Sequence, residues 1–548
     1  MPGFAIQRQE RPWLFSSITI AMLIGLPVIS VLYLAFFPEE NAWPHLVNTV
    51  LPHYLSNTFI LMSGVVVLTF SIGTGAAWLI SMYDFPGKKW LSWALLLPFA
   101  VPAYVVAYVY TDILEYAGFV QTALRGLFGW SNAKDYWFPE IRSMEGAILM
   151  MSLALYPYVY MLARTAFLEQ SVALYRIARS LGTSPLGFFF RVSLPIARPA
   201  IAVGLSLVLM ETLNDFGTVD YFAVQTLTAG LYDTWLNMGN LGGAAQIASV
   251  MVLVVMFLIT LERYSRRRQK QYHSRNQGDP IPTLKLKGLK GYTATFFICI
   301  PLVLGFVIPF SVLSFYAYHY FEVSWSNDFL SYAINSFSLS AAAAILTLIL
   351  GIVLAYSKRM NKNLLTRAAI GFSSLGYAVP GAVLAIGIIV PFAWFDNQVD
   401  ALMRANFNFS SGLILSGTAF AVLFAYSVRF LAVATGSVET SLEKVTLNMD
   451  MASRSLGHSY LHTLLKVHLP IIQRGALTAM LVVFVDCMKE LPATLILRPF
   501  NFETLATQVY QFASDELLEQ SALSALVIVL VGIIPVILLD RTISEKKS

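Results

Sequence analysis

Two short stretches of the chain repeat in a pattern suited to mechanical work. Arg179-Ser180-Leu181-Gly182 returns as Arg454-Ser455-Leu456-Gly457, at an offset of 275 residues (457 − 182). At the same offset Ser184 matches Ser459, Leu186 matches Leu461, and Leu194-Pro195 matches Leu469-Pro470. Glycine can take the left-handed conformation that ends a helix. Serine two residues later can cap a new helix, and Pro185 suits the first position of that helix in the first copy. Leu186, Phe189 and Phe190, or Leu461, Leu464 and Leu465, give the new helix an apolar face. The spacing predicts a bent helix–turn–helix lying outside the membrane, closed by Leu-Pro where the next span opens. Two copies suit a partner with twofold symmetry. A second group of residues could meet charge: Glu211, Asp215, Asp486, Lys489 and Glu490. Asp215 and Glu490 are equivalent at the 275-residue offset, as are Asn214 and Lys489. Carboxylates suit hard cations, which prefer oxygen, so these five could line a translocation path or its outer gate. They could equally form a lysine–acid pair or cap helix ends.

The elements that position these residues are apolar. The chain has 548 residues, 57% hydrophobic and 12% charged. A soluble domain carries about 25% charged residues, so much of this surface does not face water. Runs of about 20 apolar residues mark bilayer crossings. They predict twelve spans, near 14–37, 58–82, 91–112, 145–166, 196–216, 243–261, 293–316, 334–357, 368–394, 411–434, 471–489 and 522–540. The first has no small-residue cleavage site and reads as an uncleaved span. Gly73 and Gly75 predict close helix approach, and Tyr104, Tyr108, Tyr110 and Tyr116 read as an interfacial aromatic belt.

Lys and Arg prefer the cytoplasmic side. With twelve spans, Lys88 and Lys89, Arg176 to Arg198, the cluster from Arg263 to Lys290, Lys358 to Arg367, and Arg541 to Lys547 share one face. Both termini are then cytoplasmic. The opposite loops are poorer in bases and carry acids such as Glu39, Glu40, Asp515, Glu516 and Glu519. The polar segment 263–291, with Gly278, Pro280 and Pro282, reads as a basic linker.

The duplication extends beyond the loops. Ala100-Val101-Pro102 matches Ala378-Val379-Pro380, and Asn57 matches Asn335, at an offset of 278. The expected fold is therefore an all-α membrane protein of about twelve transmembrane helices in two parallel six-helix repeats. The expected halves are 1–262 and 292–548, with a central pathway. Cys299 and Cys487 lie in apolar runs and read as packing thiols. A nucleotide-binding loop of the form Gly-x-x-x-x-Gly-Lys-Ser/Thr is absent, as are a His-Glu-x-x-His zinc motif and a Gly-x-Ser-x-Gly nucleophile elbow. No catalytic role is expected of this chain.

The Arg-Ser-Leu-Gly and Leu-Pro pattern, with thirteen residues from Gly to Pro (195 − 182 and 470 − 457), resembles the EAA loop of binding-protein-dependent ABC importer permeases. In place of Glu-Ala-Ala the chain has Arg176-Ile177-Ala178 and Met451-Ala452-Ser453. Lys489-Glu490-Leu491-Pro492-Ala493-Thr494, running on to Arg498-Pro499 and Thr504-Leu505-Ala506-Thr507, is similar to the fused iron(III) permeases. So is Glu211-Thr212-Leu213-Asn214-Asp215-Phe216-Gly217-Thr218. The resemblance implies a type I permease fold in a bacterial inner membrane. It implies coupling loops held by two copies of an ABC ATPase and substrate delivered by a periplasmic binding protein. It also implies that the chain holds no cofactor, ATP being hydrolysed by the partner subunits, and that nucleic acid is no partner. Related permeases for thiamine share part of the pattern. Two parallel six-helix halves also suit a transporter driven by an ion gradient.

Overall fold

The computed structural model describes residues 2–267, 284–361 and 363–545. Part of the 263–291 linker therefore lies outside the described residues, as do Lys362 and the last three residues. Backbone polar groups in a bilayer must be satisfied within their own segment, and the chain answers with helices. Eleven helices among the described residues are long and apolar enough to cross a membrane: Pro12–Phe36 (α1), Leu51–Met82 (α2), Met144–Leu168 (α4), Pro185–Asn214 (α5), Leu241–Glu262 (α6), Leu289–His319 (α7), Asn327–Met360 (α8), Gly381–Phe407 (α9), Ala419–Leu442 (α10), Tyr460–Met488 (α11) and Leu518–Ile537 (α12). The remaining span, α3, is broken: Lys88–Ala100 and Ala103–Phe128 meet at 90°. Pro102 disfavours a helical conformation in Val101, which is extended at ψ 119°. Pro380 acts likewise in the second half, where Val379 is extended and α9 starts at Gly381. The ninth span therefore begins later than the hydropathy of 368–394 predicts.

The repeat is visible in contacts as well as in sequence. A Cβ on Gly73 of α2 would come 2.8 Å from the Val159 Cβ of α4. Gly351 of α8 is equivalent, and a Cβ there would lie 3.1 Å from the Thr435 nitrogen of α10. Both pairs of helices touch through the gap that glycine leaves, as expected for Gly73. Gly75 meets nothing within 4 Å and makes no such contact. The Asn57 amide donates to the Gln225 carbonyl at 3.0 Å, and the Asn335 amide donates to the Glu503 carbonyl at 3.0 Å. Beside each, a hydroxyl accepts a backbone N–H: Thr58 from Leu227 at 3.0 Å and Ser336 from Leu505 at 2.7 Å. The chain is an all-α membrane protein of two parallel six-helix repeats, with the type I ABC importer permease fold.

The compact units cut across the sequence halves. One unit comprises Met1–Leu46, Leu231–Val252 and Asn327–Thr507. In it α1 lies along α9, where a Cβ on Gly387 would meet the Pro27 carbonyl oxygen at 2.1 Å. Trp13 sets its ring edge-on to Tyr356, with centroids 4.8 Å apart. The other unit comprises Val47–Gly230, Leu253–Ser326 and Gln508–Ser548. In it α7 joins the first-half core, where the Tyr110 hydroxyl donates to the Leu304 carbonyl at 2.7 Å. Tyr104 and Tyr108 are buried beside Tyr110. Of the four expected belt residues only Tyr116 is exposed, so this stretch is helix packing rather than an interfacial belt.

Candidate functional site: the paired hooks and the acids beyond them

The first hook is built from the helix Val172–Ser180 and the start of α5. Gly182 has φ 78°, in the left-handed region where a Cβ is costly. Its N–H donates to the Arg179 carbonyl at 3.0 Å, and the Thr183 N–H donates to the Ala178 carbonyl at 3.0 Å. These two bonds form a Schellman cap. The second hook repeats it after Leu447–Ser455. Gly457 has φ 81°, its N–H donates to Arg454 at 2.9 Å, and the His458 N–H donates to Ser453 at 3.2 Å. The Ser184 hydroxyl then accepts the Gly187 N–H at 3.0 Å, and Ser459 accepts the His462 N–H at 3.2 Å. Even the Ser180 and Ser455 hydroxyls match, each donating at 2.8 Å to the carbonyl three residues back.

Leu194-Pro195 and Leu469-Pro470 do not break the chain as the sequence suggests. Each follows a π-turn, Phe189–Ser193 or Leu464–His468, and the helix runs on into the span. A π-turn shifts the hydrogen-bond register, and a proline, having no N–H, fits best where that register is already disturbed. One consequence is length. α5 has 30 residues, roughly 45 Å at 1.5 Å per residue, against a hydrocarbon core of about 30 Å. The helix is longer than one crossing needs, which leaves room for its capped end to extend past the apolar layer.

Each hook presents a cluster of exposed apolar side chains beside its arginines. Leu181 and Leu456 are 78% and 75% exposed. Leu186 and Leu461 are also exposed, as are Phe190 and its equivalent Leu465. Exposed apolar side chains clustered on a projecting element mark a protein contact. The arginines hold the turns differently. The Arg179 guanidinium donates to the Thr183 carbonyl at 3.0 Å, whereas that of Arg454 lies over the Tyr460 ring at 4.6 Å.

Behind the hooks the anchors differ, and sequence reasoning missed both. The first is neutral: Trp78 sits among Phe167, Phe188 and Phe189, and Gln170 exchanges hydrogen bonds with Ser193. The second is ionic. The Arg359 guanidinium donates to Asp450 at 2.8 Å and to the Leu442 and Val445 carbonyls at 2.9 and 2.8 Å. The other Asp450 oxygen meets His468 Nε2 at 2.5 Å. Equivalent positions in the first half are Ser81, Tyr175 and Ser193, so the exact repeat carries no trace of this network.

The five charged residues divide. Glu490 is buried, with one oxygen accepting from Arg429 Nη1 and the Ala493 N–H, both at 3.0 Å. Its other oxygen accepts the Thr494 N–H at 3.2 Å and the Thr494 hydroxyl at 2.8 Å. Glu490 thus caps the helix Pro492–Leu497 and neutralises a buried arginine. Asp215 accepts the Thr218 N–H at 2.8 Å at the start of Gly217–Tyr221. Lys489 pairs with Asp486 at 3.0 Å. Glu211 is half-buried on the last turn of α5. An arginine inside an apolar span is a signal of a buried partner, and Arg429 was the clue that could have found this pair. Beyond it, Arg498 pairs with Glu503, and burial lowers the basicity of its guanidinium. Among the described residues no three His, Cys, Asp or Glu side chains converge in a way that could hold a metal ion.

The model of the family described as binding-protein-dependent transport system inner membrane component matches twice, over residues 69–271 and 347–547. The Fe(3+)-transport system permease protein FbpB 2 of Haemophilus influenzae is 27% identical over 533 residues, covering 95% of this chain and 97% of that protein. The ferric transport system permease protein FbpB of Actinobacillus pleuropneumoniae is 24% identical, covering 87% of this chain and 70% of its own length. The molybdenum transport system permease protein ModB of Escherichia coli is 27% identical over 212 residues, 89% of itself but only 38% of this chain. Each family match takes in one hook, and the two together span most of both repeats. The chain belongs to the binding-protein-dependent transport system inner membrane components, as a fused permease of two such halves.

Proposed function

We propose that this chain is the permease subunit of an ATP-driven importer for iron(III). A periplasmic binding protein delivers the cation to the face opposite the hooks. Two ATPase subunits each hold one hook on the cytoplasmic side, where both termini also lie. ATP hydrolysis belongs to those subunits, and this chain holds no cofactor. Closure of the ATPase dimer moves the hooks, and the two halves switch the path from outward-facing to inward-facing. The observation that carries this reading is the pair of matched hooks. Each projects an exposed leucine from the same register, just before a left-handed glycine. An ion-gradient transporter has no use for two such apolar projections.

The ferric relatives in Haemophilus and Actinobacillus support iron(III) as the cargo. Glu211, Asp215 and the Asp486–Lys489 pair are proposed to border the path. Glu490, whose oxygens are already engaged, braces it instead. Contact with the cation is transient, since a tight site would prevent release. The test is uptake in a strain lacking the gene, with the chain co-expressed with its ATPase and binding protein. ATP-dependent accumulation of ferric ion, without accumulation of molybdate, sulfate or thiamine, is the expected result. Accumulation of one of those others, or uptake that persists when the ATPase is inactive, contradicts it.

A further inference from the structure

The two halves also differ in how they fill the space beside their third and fourth helices. In the second half a cavity of about 290 Å³ lies among α8, the helix Leu364–Ser373 and α10. Lys358, Arg367, Gly371, Thr435, Gly436 and Glu439 line it. Its first-half counterparts at the 278- and 275-residue offsets are bulky: Trp93 stands for Gly371, Tyr160 for Thr435 and Met161 for Gly436. Tyr160 is fully buried there, its hydroxyl donating to the Ser92 carbonyl at 2.7 Å. Arg164, the counterpart of Glu439, donates to the same carbonyl at 3.0 Å. In the second half a Cβ at Gly371 or Gly436 would meet nothing within 4 Å. The space that the first half fills with side chains is left open in the second.

The lining has unspent hydrogen-bond capacity. Lys358 Nζ pairs with Glu439 at 2.5 Å. Arg367 is exposed to the cavity mouth, and its guanidinium has no hydrogen-bond partner among the described residues. Thr435 is buried, and its hydroxyl is unpaired. A buried hydroxyl without a partner costs free energy that a bound acceptor would recover. Two cations against one carboxylate leave an excess of one positive charge, matching a singly charged anion with several acceptor oxygens. The volume is at the lower limit for organic ligands, roughly 300 Å³, which suits a phosphate-bearing headgroup better than a whole metabolite. The depth agrees as well. Lys358 is two residues from the end of α8, and Glu439 is three from the end of α10. Both lie at the hook end of their spans, where lipid headgroups lie and where basic pockets between helices hold them.

We propose that this cavity binds a phosphodiester, supplied by the headgroup of an anionic phospholipid in the leaflet on the hook side. Arg367 and the Thr435 hydroxyl donate to the phosphate oxygens, and Lys358 supplies the second positive charge. The bound headgroup braces α10, which leads directly into the second hook, while the first half braces itself through Tyr160 and Arg164 on the Ser92 carbonyl. The inference rests on the membrane-spanning fold and not on which cargo is carried, so failure of iron uptake would leave it standing.

The test is native mass spectrometry of the full-length chain in detergent, with phosphatidylglycerol, phosphatidylcholine or inorganic phosphate added. The wild type is expected to retain phosphatidylglycerol over phosphatidylcholine. Arg367→Gln, at an exposed position that leaves the packing untouched, is expected to lower that retention about tenfold. Gly436→Met, which gives the second half the residue of the first, is expected to do the same. Phosphate that displaces the lipid from the wild type supports recognition of the phosphate group. Phosphate that binds in an Arg367-dependent way while the lipid does not would overturn the lipid source. Equal retention of both lipids, or unchanged retention in both variants, would overturn the site.

Discussion

Gly182 and Gly457, at φ 78° and 81°, each face open space. An alanine there meets no steric neighbour and carries only the backbone penalty, about 1–2 kcal/mol. Gly182→Ala and Gly457→Ala should therefore leave the melting temperature of the whole chain nearly unchanged while loosening the turn. The measurable loss is in ATPase stimulation by the assembled complex, and equal loss of melting temperature would place the glycines in the core instead. Glu490 and Asp215 should behave unequally although they are equivalent in sequence. Glu490→Gln removes the buried carboxylate charge that faces Arg429 at 3.0 Å, and breaking a buried ion pair costs about 3–5 kcal/mol. Asp215→Asn keeps a side-chain oxygen that can accept the Thr218 N–H, since asparagine caps about as well as aspartate, and should cost under about 1 kcal/mol. Thermal unfolding of the two purified variants distinguishes them. A Glu490→Gln protein that melts like the wild type yet does not transport would return Glu490 to the path itself.

At the scale of elements, the hook reads directly from sequence because its cues are local. Glycine at the turn, serine at the cap and leucine on the outer face each act within a few residues, and the structure realises them twice. The anchors behind the hooks were hidden because they depend on residues far apart in the chain, such as Arg359 and Asp450. The π-turns were hidden for a different reason: Leu-Pro looks like a break unless the preceding turn is known to widen. The asymmetry of the anchors gives a prediction of its own. Asp450→Asn weakens the contacts to Arg359 and His468 and should release the second hook alone. Hydrogen exchange should rise several-fold across 447–463 and stay unchanged across 172–190. Equal loosening of both hooks would contradict independent anchoring.

For the whole molecule, composition and apolar runs were enough to place a multi-pass protein in a membrane, and the two offsets were enough to show a parallel duplication. The membership of the compact units was not legible. A helix such as α1 advertises an apolar surface, yet nothing in its own residues says that its neighbour is α9 rather than a first-half helix. That choice is made by the Gly387 notch against Pro27 and by Trp13 against Tyr356, contacts that span more than 300 residues of sequence. The functional account depends on both hooks emerging on the ATPase side. Single cysteines at Leu181 and Leu456, in a background lacking Cys299 and Cys487, measure this in intact cells and in inverted membranes. Both positions should react with an impermeant thiol reagent only in inverted membranes, and both should be shielded when the ATPase is bound. Reaction of either position from outside the cell, or labelling indifferent to the ATPase, would contradict the account.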